Sequence, residues 1–226
     1  MVISITGNVL SKIARFNDEG LHYNLVASEI YKARSRIENP FDKSFLPYII
    51  AGLASFDMGR MMGARKYSFD NGCFASRLYS KLQQIRPLLE PLVSLNLLSI
   101  DLQEHGDEVK QAYKVLSASG PGALHEDQTK SFHVGATKIL HFLNPELFIM
   151  VDRYAARAFR TAWQLPFRNA TQPGYSAELY VECMKRAKTD ISEYGIGNFR
   201  SLEPNTPVTR IYDKLTFVTG SIVTVP

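Results

Sequence analysis

Asp152-Arg153-Tyr154-Ala155-Ala156-Arg157-Ala158-Phe159-Arg160-Thr161-Ala162-Trp163 carries a helical periodicity that marks this chain as α-helical. Arg153, Arg157 and Arg160 recur at i, i+4 and i+7, which lines three guanidinium groups along one stripe of a helix. Ala155, Ala158, Phe159 and Ala162 fall on the other side. Asp152 stands just ahead of the pattern, where a short acceptor side chain closes a helix N-terminus. The spacing therefore predicts an amphipathic helix with a basic outer face.

The same periodicity extends in both directions. Upstream, Ala136, Ile139, Leu140 and Leu143 give a helix that Asn144-Pro145 ends. Ile13, Leu21, Leu25 and Ile30 give helical spacing through Arg36, read as two helices closed by Glu38-Asn39-Pro40. Asp42 or Ser44 is the expected cap of a helix carrying Leu46, Ile49, Ile50, Leu53 and Phe56. Asp70 is the expected cap of a long helix with Phe74, Leu78, Leu82 and Ile85, broken or restarted at Pro87 and Pro91. Leu97-Leu98-Ser99-Ile100-Asp101-Leu102 is the one internal candidate for a short strand, and 104–117 again reads as helix. Ser119-Gly120-Pro121-Gly122 marks a turn or loop. Downstream, helices are expected at 175–194 and 206–217, neither with recognisable chemistry, and Ser221–Pro226 is a strand or disordered tail. The expectation is a mainly α-helical protein: a multi-helix globular bundle occupying 1–226 as one domain, or two interlocked helical subdomains.

Composition narrows the class without naming a function. A chain of 226 residues with 45% hydrophobic and 21% charged side chains can bury a core without metal or disulfide staples. Cys73 and Cys183 lie far apart outside any CxxC spacing, so they read as reduced thiols of a cytoplasmic protein. Neither a signal-peptide h-region nor a run of 18 apolar residues is present, which predicts no membrane contact. The net charge is +4, and residues 130–168, with six Lys/Arg against two Asp/Glu, account for all of it. A local positive field of this kind attracts a polyanion or an acidic partner, although a solvated basic face is the plainer explanation.

Within that basic segment, Val134-Gly135-Ala136-Thr137-Lys138-Ile139-Leu140 precedes an apolar helix, and Phe148-Ile149-Met150-Val151-Asp152-Arg153-Tyr154-Ala155-Ala156-Arg157 follows it. This arrangement resembles the helix-hairpin-helix DNA glycosylase superfamily over residues 130–160. In that family a glycine-rich hairpin, a lysine and a helix lead to an apolar-Val-Asp motif. The resemblance implies DNA as partner, with Gly135, Lys138, Arg153, Arg157 and Arg160 on the nucleic acid. It implies that the Asp152 carboxylate supports an electron-poor sugar, or activates water, as the glycosidic bond of a flipped-out nucleotide breaks. No metal or cofactor is called for. Two positions depart from the pattern. His133 stands where the family usually has a second glycine, and Thr137 holds the slot of the lysine used by lyase-active members. Lys138, one residue late, is rotated by about 100° around the helix, so the implied activity is a glycosylase without lyase chemistry.

Plainer roles stand beside each of these. Asp152 serves as a helix cap, Lys138 and His141 occupy a solvated polar face, Arg153 pairs with Glu146, and Trp163 and Phe167 enter the core rather than stack a base. The alternative from another class is a non-catalytic helical module that binds nucleic acid or an acidic protein through the arginine stripe. Other chemistries are weaker. Gly59–Lys66 lacks the spacing of a phosphate-wrapping loop, although anion binding there is left open. Asp101, Glu108 and Lys110 have the residue types of a metal-dependent nuclease, but Glu108 reads as helix where a strand is needed. His125, His133 and His141 are eight apart and cannot share one helix face as metal ligands.

Overall fold

The computed structural model describes residues 4–56, 73–119, 124, 132–168 and 174–222. Every regular element among them is helical: α1 (Val9–Glu19), α2 (Leu21–Arg36), α3 (Leu46–Phe56), α4 (Cys73–Leu89), α5 (Gly106–Ser117), α6 (His133–Leu143), α7 (Arg153–Trp163), α8 (Ala177–Tyr194), α9 (Ile196–Leu202) and α10 (Val208–Ile222). A 3₁₀ turn at Glu90–Leu92 follows α4. The protein is a mainly α-helical bundle. The Gly59–Lys66 loop, the Asp70 cap, Gly120–Gly122, His125–Lys130 and Val223–Pro226 lie outside the described residues.

α6 is the axis of the bundle. Its residues from Gly135 to Leu143 are all buried, the pattern of a helix that is wrapped on every side. α2, α3 and α5 pack against it. α10 lies along α7 and also meets α1 and α8. The α7–α10 crossing is unusually close, because Gly220 lets the two backbones approach. A Cβ built there would stand 1.9 Å from the Tyr154 carbonyl oxygen. One continuous apolar cluster, from Ile5 to Leu215, joins residues of both groups.

Four local expectations change. Leu97–Leu102 forms turns instead of a strand, because Asn96 captures the chain that follows: its Oδ1 accepts from Leu98 N–H and Ser99 N–H, both at 3.0 Å. α4 runs through Pro87 and ends at Leu89, so only Pro91, in the 3₁₀ turn, coincides with a break. Leu21 and Leu25 are exposed, and α2 instead turns Ala27, Ile30 and Ala33 inward. The Asp42 side chain accepts only a long 3.4 Å bond from Ser44 N–H, and α3 begins later, at Leu46.

Candidate active-site cleft

The site is built on Phe148–Asp152, an irregular segment between α6 and α7 that has no sheet partner. Buried backbone groups must still find partners, and here polar side chains supply them. Phe148 C=O accepts from His141 Nδ1–H at 2.6 Å, and Ile149 C=O from the Tyr180 hydroxyl at 3.1 Å. Met150 N–H donates to Asp213 Oδ1 at 2.9 Å, and Val151 N–H to Thr137 Oγ1 at 3.1 Å. Four consecutive residues are thus held from α6, α8 and α10, which fixes where Asp152 emerges.

Asp152 caps α7 as expected. Its Oδ1 accepts from Tyr154 N–H at 2.8 Å and Ala155 N–H at 2.9 Å, so the other carboxylate oxygen takes no part in the cap. The residue is half-buried and lines a cleft of about 70 Å³. Lys138 from α6, Arg210 and Asp213 from α10, and Phe16, Tyr23, Met150, Ala155 and Phe217 complete its walls. Phe16 and Phe217 meet edge to face across it, with ring centroids 5.4 Å apart. Arg210 spans from the cleft towards α2, its Nη2–H donating to Asn24 Oδ1 at 3.4 Å and its guanidinium lying 5.0 Å from the Phe16 ring centre.

Lys138 and His141 depart from the sequence expectation, which placed both on a solvated face. Lys138 is only 7% exposed and turns into the cleft beside Asp152. His141 is fully buried. Because a carbonyl only accepts, Nδ1 carries its proton to Phe148 C=O, and Nε2 accepts from the Tyr31 hydroxyl at 2.7 Å. Burial, with the Arg210 charge adding to it, pushes the imidazole down to about 3. The face was misjudged because α6 has no solvent side from Gly135 onward.

Gly135 is also displaced from its expected role. It sits in the first turn of α6 and not in a bend preceding it, and a Cβ there would fall 1.8 Å from the Phe132 ring. The glycine admits an aromatic side chain where the resemblance implied room for a phosphate. The arginine stripe forms as the spacing predicts, but its members differ. Arg153 and Arg160 are exposed, whereas Arg157 is half-buried and donates from Nη1 to Gly220 C=O at 3.1 Å, serving one of the last carbonyls of α10. Arg153 lies over the Tyr154 ring and donates to its hydroxyl at 2.8 Å. Glu146 belongs to a separate groove of about 260 Å³ that also contains Arg200, Asn144 and Thr209. Phe167 enters the core, and Trp163 is half-buried with Nε1–H donating to Asp190 Oδ2 at 3.1 Å.

Sequence reasoning missed Asp213 and Arg210. Burial drives the Asp213 carboxyl far above the usual carboxylate range and the Asp152 charge pushes the same way, while Arg210 and the Met150 N–H oppose them. A signal was present: Arg210, Asp213 and Lys214 interrupt the otherwise apolar run Val208, Ile211, Tyr212, Leu215, and all three are buried. Charged residues on the inner face of a helix are retained only where they have partners or work to do. Lys214 has a structural task, holding Glu203 at 2.6 Å. Among the described residues no group of three His, Cys, Asp or Glu side chains is placed to hold a metal ion. None of the described helices is long and apolar enough to cross a membrane. Comparison with family models, with curated proteins and with solved structures finds no match.

Proposed function

We propose that the protein is a DNA N-glycosylase in which the Asp152 cleft breaks the bond between base and sugar. The observation that carries this reading is the shared cleft of Asp152, Asp213, Lys138 and Arg210 beneath the head of a helix whose Arg153 and Arg160 face solvent. Two carboxyl groups in different surroundings, one half-buried and one buried, have the residue types and placement of acid and base chemistry. The exposed arginines supply the positive charge that draws a phosphate backbone towards the opening. At about 70 Å³ the cleft is far smaller than the roughly 300–1,000 Å³ of a typical ligand pocket. A nucleotide therefore needs a wider cleft, which parting of Phe16 on α1 from Phe217 on α10, two residues of its wall, would provide.

Incubation of the protein with duplexes carrying single modified bases, followed by chromatographic detection of free base, tests this directly. Release of a base without strand scission is the expected result. The small volume of the cleft also favours a second reading, in which Asp152 is only a cap and Arg153 and Arg160 bind nucleic acid or an acidic protein without chemistry. That reading predicts retention of duplex DNA, with a salt-dependent affinity, and no base released from any duplex.

A further inference from the structure

Asp213 lies outside the sequence motif, yet its position suits it to a step that Asp152 does not perform. Met150 N–H holds Oδ1 at 2.9 Å, which orients the carboxyl group. Oδ2 is buried without a hydrogen-bond partner, and the residue lines the same cleft as Asp152. A buried carboxyl oxygen without a partner is costly when ionised and is relieved when it carries a proton that a ligand can accept.

We propose that Asp213 is the general acid of this cleft, protonating the departing base while Asp152 accepts a proton from the attacking water. The proposal rests on the glycosylase reading above. The bond between C1′ and the base nitrogen breaks, and its electron pair leaves with the base. The Asp213 proton follows it to a base nitrogen. Water forms the new C1′–O bond and gives its proton to Asp152. The net change is one water consumed and one neutral base and one sugar hydroxyl formed. The acid is restored when Asp152 returns its proton to solvent and Asp213 takes one up.

The groups facing Asp213 are consistent with a proton held there. Asp152 stands across the cleft at the head of α7, and Arg210 is on the same helix. Lys138 comes from α6 and Tyr23 from α2. His141, also on α6, presents Nδ1 at 3.8 Å from Oδ2, but that nitrogen gives its proton to Phe148 C=O. Burial and the Asp152 charge both favour the protonated carboxyl, against Arg210 and Met150 N–H.

The test separates bases that need a proton to leave from those that do not. A neutral purine such as hypoxanthine departs more easily when protonated, whereas 7-methylguanine is already cationic and leaves as a neutral molecule. Asp213→Asn keeps an oxygen for Met150 N–H and removes the acid. Release of hypoxanthine from a duplex should fall by about 10²–10⁴-fold in this variant, while release of 7-methylguanine is unchanged. In the wild-type protein hypoxanthine release should decline on the alkaline side of its pH profile, and 7-methylguanine release should not. That measurement holds even if the variant fails to fold. Equal loss with both bases, or identical alkaline limbs for both in the wild type, overturns the role of Asp213 and leaves the glycosylase reading standing. Absence of base release by the wild type from either duplex overturns both.

Discussion

His141 Nδ1 lies 3.8 Å from Asp213 Oδ2 with both side chains buried, and burial raises the proton affinity of the acid while it lowers that of the base. This reverses the ordinary order of their affinities. It follows from burial: a neutral imidazole beside a neutral carboxyl avoids two desolvated charges, and the Phe148 carbonyl takes the imidazole N–H. In the unfolded chain the histidine takes its proton near pH 6.5 and the acid near 3.9.

The consequence for stability is a pH dependence whose sign can be worked out for each group. The folded pKa of Asp213 is raised, so above about pH 3.9 the native state binds a proton that the unfolded state has lost, and stability falls as pH rises. The folded pKa of His141 is lowered to about 3, so below about 6.5 the unfolded state binds the extra proton and stability falls as pH drops. Between about 4 and 6.5 the two slopes oppose each other. Asp213→Asn removes the first. Relative to wild type, the variant should gain stability as pH rises from about 4 towards 6.5, read from urea unfolding at each pH. A constant difference across that range would show that the acid is not protonated in the native state.

Gly220→Ala should be among the most damaging single-methyl additions in the protein. Its Cβ would meet the Tyr154 carbonyl oxygen at 1.9 Å, and a backbone oxygen cannot rotate away as a side chain does. α7 and α10 must separate, moving Asp152 relative to Asp213. An overpacking cost of about 1–3 kcal/mol or more is expected, visible as a lowered denaturant midpoint with an unchanged slope.

Buried Lys214 and half-buried Glu203 form an ion pair at 2.6 Å, joined by Asn17. Lys214→Met leaves the carboxylate without its cation and should cost about 3–5 kcal/mol. Lys214→Met combined with Glu203→Gln should recover much of that loss, because the uncompensated charge is removed. A double variant as unstable as the single one would place the effect in packing instead.

Much of the architecture was legible in the sequence because helical spacing reports burial directly. The Arg153–Trp163 pattern located α7 within its observed bounds, and the cap at Asp152 followed from residue type and position. What could not be read was the surroundings of α6. Polar residues on a helix are assigned to solvent unless something covers them, and Lys138 and His141 are covered from α1, α2 and α10, far away in sequence. Lys138 and His141 were misplaced for that reason. Asp213 was invisible for a related one: its partner Met150 is 63 residues earlier, and no short-range motif links an acid on the last helix to a linker in the middle of the chain.

DNA affinity separates the exposed arginines from the buried cation. Each phosphate contact adds about −0.9 to the slope of log affinity against log salt, so Arg153→Ala and Arg160→Ala should each flatten that slope by roughly this amount. Lys138→Gln, inside the cleft, should leave it unchanged. Filter binding to an undamaged duplex across a salt series measures all three. A flat wild-type dependence would exclude the phosphate backbone as the partner.

The most direct test of the central claim is single-turnover base release by Asp152→Asn. Asparagine is as good a cap as aspartate, so α7 and the fold should be retained. The account predicts unchanged thermal stability and duplex affinity with base release reduced below detection. A variant that still releases base at the wild-type rate would remove Asp152, and the cleft around it, from the chemistry.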